Sequence, residues 1–528
     1  MRITPCQAAL AAAITLNLLL LLCSRFAPGA SPPPSSCHRR VPSSGGVPSS
    51  SGGVPPLSGG VTVILRDFPD GPDHDVAATA RSFAALPGVT VLVASEVAPY
   101  PPVPLPAGVT VLSLRPEPHR PPPRPELAVR TRHVALVPDG ARAVPGLLRR
   151  MRDALEGDKG DEVKVVAAPV GTSPPRCLAL EVDVKAWTAR YGHVGHESDH
   201  KSDHKADHKS DHKSDRSGDL CGALDGAPAV LLLRTRDLFS LPFPLTRPVV
   251  TSLSLQASLR GWRLLLLPDA FPLAPRPPPS PHALWKAQDA LEKRRRTLME
   301  QFGIKLEVLP DGGRRWHGCT KDTPRCFGTI HAQTPQYLLA GRWTPPCCLR
   351  ALRATARHVV AQLEAAGVRY WLEGGSLLGA VRLGDIIPWD YDVDLGLYRE
   401  DVPKCRWLAA VLSSGRPVED PEGFFWEKAA EGEFYRVHFS RANRLHVDLW
   451  PFYARPGGVM TKDTWLGHRQ DVEFPERFLV PLVPVAFAGV AAKAPNDPRA
   501  FLELKFGPGA VENPEYPNPG VRRLAQDV

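Results

Sequence analysis

Three aspartates at alternate positions, Asp390, Asp392 and Asp394, form the stretch that most restricts how this chain can fold. On a strand over 390–397 they would share one face, with Tyr391, Val393 and Leu395 on the other. Like charges stacked in this way destabilise a strand unless a cation neutralises them, so the spacing asks for a metal. Upstream, 368–372 reads as another strand, broken by Gly374-Gly375-Ser376 before a short helix starts at Leu377. Such a turn lets backbone N–H groups approach a phosphate, and Gly375 with Ser376 is the candidate cradle. A second apolar run, 445–450, places Asp448 on a strand. Asp392, Asp394 and Asp448 then make an oxygen-ligand set suited to Mg²⁺ or Mn²⁺ against a substrate's phosphates, a geometry for phosphoryl transfer.

The chain has 528 residues, 43% of them hydrophobic, enough to bury more than one core, so two domains are expected. The formal charge is +9, but the basic residues are dispersed and no aromatic-basic tract occurs, which argues against a nucleic-acid partner. The excess suits a phosphorylated substrate, although solubility alone accounts for it. After a tail over 1–7, residues 8–23 form a nearly continuous apolar run, read as an uncleaved transmembrane signal-anchor; Ala27, Gly29 and Ala30 keep cleavage open. Arg25, Arg39 and Arg40 follow the run while Arg2 alone precedes it, a bias that by itself argues against a lumenal body. Residues 24–60, rich in Pro, Ser and Gly, read as a disordered stem.

Apolar runs at 61–65, 89–94, 109–112, 133–137, 163–168, 229–233 and 262–267, with helix-compatible stretches at 73–86 and 145–156, predict an α/β domain with a largely parallel sheet over 61–270. The arrangement is similar to a nucleotide-sugar glycosyltransferase domain of Rossmann-like type. A D-x-D motif is expected there at a central strand end, yet 137–141 offers Asp139 alone. A non-catalytic stem domain that positions the acceptor or makes subunit contacts is the more economical reading. Residues 196–219, built of Ser-Asp-His-Lys repeats, read as a disordered insertion, able to bind transition metals weakly or merely of low complexity. Cys177 and Cys221 flank it and can close its base as a disulfide if the body is lumenal. Residues 271–310 read as a linker with a connecting helix over 284–302, and 311–528 as the catalytic domain.

In that last part, Cys319, Cys326, Cys347 and Cys348 offer four thiolates for a structural Zn²⁺, favoured narrowly over two disulfides. An apolar helix follows over 349–363, with Gly367 as its C-cap. Helix, strand, glycine turn and acidic strand in this order resemble the nucleotidyltransferase superfamily, an α+β fold with a third carboxylate from another strand. Read together, the segments 373–380, 388–394 and 446–449 resemble the LicD family of phosphotransferases. The family motifs cover about 347–513, and a nearer resemblance, to a ribitol-phosphate-transferring branch, covers nearly all the chain outside the stem and the insertion.

The resemblance implies a single-pass type II Golgi membrane protein with a cytosolic N-terminus and a lumenal body. It implies transfer of ribitol 5-phosphate from CDP-ribitol to the phosphorylated O-mannosyl glycan of α-dystroglycan, extending a first ribitol-phosphate unit. Alternatives are another CDP-linked polyol or choline phosphate as donor, nucleotidyl transfer from a nucleoside triphosphate, or a nonenzymatic glycan-binding scaffold. Asp390 is expected either to activate the acceptor hydroxyl or orient a water, or simply to end a strand. Arg382 and Lys505 are candidates for donor phosphates, and Glu427, Lys428, Arg436 and His438 for the border of the acceptor site. Trp389, Trp426 and Trp450 either fill the core or stack on a cytosine. A short helix is expected over 501–507, and 513–519 is turn-rich and expected to close over the donor. No N-x-S/T sequon occurs, and a homo-oligomer through the first domain is expected.

Overall fold

The computed structural model describes residues 58–514 apart from 72, 98, 100–101, 120–121, 158–161, 195–217, 325–326, 329–334 and 469. The chain from Leu57 onward forms one compact unit. The apolar run at 8–23, the Pro/Ser/Gly stem and most of the repeat insertion lie outside the described residues. Among the described residues, no helix is long and apolar enough to cross a membrane.

The first region is built on an eight-stranded sheet in the order Thr110–Ser113, Val89–Ser95, Ser58–Leu65, Thr131–Val137, Ala229–Arg234, Val163–Pro169, Arg263–Leu266 and Asp219–Cys221. Each of the seven anticipated apolar runs is one of these strands. Their lack of polar alternation follows from burial on both faces: Val63 and Leu65 enter one core, Ile64 the other. Helices Val76–Ala84 and Leu147–Glu156 cover the first face through Phe83 and Met151, and helix Val249–Ser258 covers the second through Leu253. The first four strands are mutually parallel, but Ala229–Arg234 runs antiparallel to both neighbours. The chain reaches it from a second sheet rather than by a crossover helix, so its direction is free to reverse.

That second sheet, which the apolar pattern did not announce, orders Arg314–Trp316, Leu306–Val308, Thr188–His193, Arg176–Asp183 and Ala223–Asp225. The Cys177–Cys221 disulfide joins one of its strands to the edge strand of the first sheet. Helix Pro281–Phe302, N-capped by Ser280, buries Leu298 and Met299. After it, Leu306–Val308 pairs in parallel with Thr188–His193, and Arg314–Trp316 pairs with Leu306–Val308. The boundary read at 311 therefore falls inside a sheet shared with the first region. Glu307, fully buried there, is held by Arg295 at 3.1 Å and His317 at 3.0 Å.

The last region is α+β. Its sheet runs Tyr370–Leu372, Val393–Tyr398, His446–Arg455, Tyr435–His438, Phe425–Lys428 and Val418–Glu419, and Val459–Lys462 adds to His446–Arg455. Within it, Val393–Tyr398 and His446–Arg455 are parallel while their other pairings are antiparallel. Helix Pro346–Ala365 packs Leu352, Val359 and Leu363 into the core. Gly396 makes room for Trp371: a Cβ there would lie 2.3 Å from the indole, so this fully buried ring is seated on a bare strand position.

Candidate active site

The acidic strand is shorter than its spacing suggests. It starts at Val393, so Asp390 and Asp392 sit on the turn that leads into it and Asp394 alone of the three is on the strand. Pro388 and two closely spaced carboxylates keep the preceding backbone out of the ladder. Asp394 stands opposite Asp448 in the parallel register of Val393–Tyr398 with His446–Arg455. Neighbouring strands put such residues on one face about 5 Å apart at the backbone, so the sheet itself forces two carboxylates together.

The glycine segment also differs from expectation. Helix Gly374–Leu383 already includes the glycines, with Glu373 at its N-cap and no side chain capping its first N–H groups. The absent side chain of Gly375 admits an acidic group: a Cβ there would lie 2.7 Å from Asp390 Oδ2, whereas one on Gly374 would make only an ordinary contact, 3.9 Å from Asp394 Oδ2. The positive end of the helix thus faces the carboxylates, as it would face an anion. Ser376, buried beneath, accepts a hydrogen bond from the Asp394 backbone N–H at 2.9 Å and so pins the acidic strand to the helix.

Crowding is visible in the protonation of these groups. Burial pushes the Asp390 carboxyl up to about 6, while its hydrogen bond with Asp392 acts the other way. Burial, followed by repulsion from Asp394, Asp390 and Asp448, holds Asp392 well above the ordinary carboxylate range. Asp394 is pushed up to about 7 by burial and by Asp448, against the opposing hydrogen bond from Trp450. That indole donates from Nε1 to Asp394 Oδ1 at 2.9 Å, stacks on Phe434 at 4.1 Å and lies under Lys462 Nζ at 3.9 Å. Asp448 accepts from Arg436 through Nε at 2.8 Å and Nη2 at 3.2 Å.

Other residues singled out from the sequence are placed less directly. Lys505 is buried and paired with Glu373 at 2.5 Å, behind the helix N-terminus rather than on the carboxylates. Arg382 lies at the far end of the helix, where it donates to the carbonyls of Val511 and Glu512. His438 hydrogen bonds Glu427 at 2.8 Å and stands 5.5 Å from the ring of His446; burial holds it down at about 4. Lys428 pairs with Glu433 on the surface. Trp426 is a core residue that donates to Asp420 at 2.8 Å, and Trp389 stacks on Trp343 at 5.6 Å. Of the turn-rich segment 513–519, residues from 515 onward lie outside the described residues.

The donor set fits a hard divalent cation: carboxylate oxygens whose burial and mutual repulsion a cation would relieve. Among the described residues, the sulfur atoms of Cys319, Cys347 and Cys348 are the set of three ligand atoms lying within 4.8 Å of one another. The aspartate oxygens are more widely spaced, so water and substrate phosphate would have to complete an octahedral shell. Cys319 and Cys347 form a disulfide, the Cys348 sulfur lies 3.1 Å from that of Cys319, and Cys326 lies outside the described residues. A cleft of about 830 Å³ opens instead in the first region, lined by Arg66, Glu96, Arg247 and Arg294. Its guanidinium groups are engaged by Glu96 and Asp70. Asp139, the residue at the D-x-D position, accepts from the Asp75 backbone at 2.9 Å and from Arg276 at 2.9 Å, which leaves it a structural role.

Two parts of the chain match known families. Residues 48–310 match the fukutin-related protein stem domain, and residues 367–497 match the LicD/FKTN/FKRP nucleotidyltransferase domain. The chain is 52% identical over 532 residues to human ribitol 5-phosphate transferase FKRP and, at the same level, to that of the mouse, covering 99% of each sequence. Human ribitol-5-phosphate transferase FKTN is 26% identical over 165 residues, 30% of this chain and 33% of its own length. A solved lincosamide antibiotic adenylyltransferase, LnuA, aligns over 29% of this chain and 83% of its own at 12% identity with a TM-score of 0.20, too distant to argue from.

Proposed function

Because the chain belongs to the fukutin-related protein family, whose catalytic part is of the LicD nucleotidyltransferase type, we propose that it transfers ribitol 5-phosphate from CDP-ribitol to a ribitol-phosphate-bearing O-mannosyl glycan of α-dystroglycan, releasing CMP. The observation that carries this reading is the cross-strand pair Asp394 and Asp448, set with Asp392 and Asp390 against an uncapped helix N-terminus. Asp392, Asp394 and Asp448 would hold Mg²⁺ or Mn²⁺, which supplies positive charge to the donor diphosphate. The first N–H groups of helix Gly374–Leu383 point an additional positive end at the same place. An acceptor hydroxyl oxygen bonds to the ribitol-bearing phosphorus as the bond to the bridging oxygen breaks, CMP takes that oxygen, and Asp390 accepts the hydroxyl proton. With a carboxyl pushed up to about 6, Asp390 is better matched to that proton than an ordinary carboxylate. Trp450 and Arg436 orient Asp394 and Asp448.

The remaining features are read in the same frame. The Cys177–Cys221 disulfide supports a lumenal body in an oxidising compartment, as in a type II Golgi protein anchored by 8–23 and assembled as a homo-oligomer. A structural Zn²⁺ on Cys319, Cys326, Cys347 and Cys348 competes with the Cys319–Cys347 disulfide, and zinc analysis of protein purified without chelator decides between them.

The test of the function is a transfer assay on the chain from residue 57, with a ribitol-phosphate-bearing acceptor glycopeptide and CDP-ribitol, CDP-choline, CDP-glycerol or a nucleoside triphosphate supplied separately. Metal-dependent addition of ribitol phosphate with release of CMP supports the reading. Transfer from another CDP donor keeps the mechanism and replaces the substrate, whereas pyrophosphate release would make the enzyme a nucleotidyltransferase. Binding of the glycopeptide without turnover of any donor would leave a scaffold.

A further inference from the structure

Two successive residues, Trp343 and Thr344, join the first region to the acidic turn. The Trp343 backbone N–H donates to the Lys185 carbonyl at 2.9 Å, and the Trp343 carbonyl accepts from Trp187 Nε1 at 2.7 Å. Lys185 Nζ also lies 3.8 Å over the Trp343 ring. Thr344 faces the other way. Its backbone N–H donates to the Pro388 carbonyl at 2.8 Å, and its hydroxyl donates to the Asp390 carbonyl at 2.6 Å. Because that hydroxyl has one hydrogen, the 2.9 Å contact with Tyr337 must be a donation from the Tyr337 phenol to Thr344. Thr344 and Tyr337 are both buried, so none of these bonds is exchanged cheaply for water.

Residues 184–187 form the turn between two strands of the second sheet, far from any carboxylate of the site in sequence. Trp187 has φ +56°, a conformation that a bulky side chain adopts only where its surroundings over-determine it. They do so here. The Trp187 carbonyl accepts from the N–H groups of Lys305 at 2.7 Å and Leu306 at 3.2 Å, and the Arg342 guanidinium lies 4.6 Å over its ring. The strained residue is thus locked to the first region on its backbone side and reaches the catalytic region with its indole.

We propose that the Lys185–Trp187 turn is a positioning element for Asp390: it fixes Trp343, and Thr344 then sets where the 388–390 turn places that carboxylate relative to Asp392 and the helix N-terminus. Trp187 and Thr344 are positioning residues, since neither touches the reacting atoms. The stem domain is by this inference part of the catalytic apparatus within its own chain. The inference rests on the phosphotransfer reading of Asp390. Proton transfer and in-line attack depend on placement to a fraction of an ångström, and a misplacement of about 1 Å costs on the order of 100-fold in rate.

Thr344→Val keeps the shape and removes the hydroxyl; Thr344→Ser restores it; Trp187→Phe keeps a ring and removes the indole N–H. Thr344→Val is expected to lower kcat by about tenfold or more with donor KM and Mn²⁺ affinity within about twofold of wild type, because the metal carboxylates are untouched. Thr344→Ser should recover most of that loss, and Trp187→Phe should lower kcat in the same direction by a smaller factor. Hydrogen exchange of the 389–392 amides, measured on the same proteins, should quicken in Thr344→Val and Trp187→Phe while exchange in the core strand Val393–Tyr398 stays as in wild type. Unchanged exchange at 389–392 in both variants, or a Thr344→Val enzyme with wild-type kcat, overturns the proposal. If wild type transfers nothing, the functional reading falls, and the exchange measurement still decides whether the turn is coupled to the stem domain.

Discussion

Arg436 lies directly across from Asp448 on the antiparallel strands Tyr435–His438 and His446–Arg455, and its Nε and Nη2 reach the two oxygens of that carboxylate. This fork holds Asp448 in one orientation opposite Asp394, which a single ammonium cannot do. Arg436→Lys, keeping the charge, is therefore expected to lower kcat/KM by about tenfold or more with the fold intact by circular dichroism. An Arg436→Lys enzyme as active as wild type would show that orientation of Asp448 is immaterial.

Burial and three neighbouring carboxylates all disfavour the ionised form of Asp392. Asp392→Asn removes one charge from that cluster, so the metal-free variant should melt higher than metal-free wild type while losing at least about 100-fold in transfer. Wild type should in turn gain more from added Mn²⁺ than the variant does, since ligand binding stabilises by mass action. Thermal melts of both proteins in EDTA and in Mn²⁺ check the pair of expectations. A variant that melts lower than wild type in EDTA would mean that Asp392 contributes to packing rather than to a repulsive site.

The same cluster fixes a pH dependence. Folded values of about 6 for Asp390 and about 7 for Asp394 exceed the ordinary carboxylate value of 3.8. Through these two groups the folded protein binds more protons than the unfolded chain between about pH 4 and 7, and their contribution to stability falls as pH rises through that window. A divalent cation must displace these protons, so its affinity rises over the same range. The melting difference between Mn²⁺ and EDTA should widen from pH 5 to pH 7.5 in wild type and stay nearly flat in Asp394→Asn. Taking a difference removes groups that titrate with the opposite sign, such as His438, held down at about 4 by burial.

Lys505 and Glu373 form a buried pair at the N-cap of helix Gly374–Leu383, and the second Glu373 oxygen has no hydrogen-bond partner. Lys505→Met strands that carboxylate, and a loss of about 3–5 kcal/mol is expected in urea denaturation. Adding Glu373→Gln should return part of it, because the stranded charge is gone. If the double variant is no more stable than Lys505→Met, the lysine acts through its packing against Phe474 and Phe501 instead.

What could be read beforehand follows the range of the interactions involved. The strands of the first sheet were legible because burial on both faces leaves a continuous apolar run in the sequence, as at Val63-Ile64-Leu65. Asp394 and Asp448 were legible as a pair because each sits in its own apolar run. The second sheet was not, since Arg176–Asp183 and Arg314–Trp316 mix charged and apolar residues with no strict alternation. The strand start at Val393 was misplaced because the alternate spacing of the aspartates mimics a strand that their own charge, after Pro388, prevents. The fork of Arg436 on Asp448 depends on cross-strand register, which nothing local encodes. Thr344 went unnoticed for the same reason: its hydroxyl meets Asp390 across 46 positions. The indole of Trp450 carried a usable signal, lying two residues after Asp448 on the same strand and so on the same face.

Strand Leu306–Val308 is sandwiched between Thr188–His193 on one side and Arg314–Trp316 on the other. An expression clone begun at 311 would thus carry off a lone outer strand and leave its partner behind, together with the buried carboxylate of Glu307. Its raw edge would invite pairing with other copies. The nucleotidyltransferase-like half has no clean place to be cut from its companion, so the two halves are one inheritable unit, and a patient search for a minimal active fragment should move the start toward residue 57 rather than toward 367.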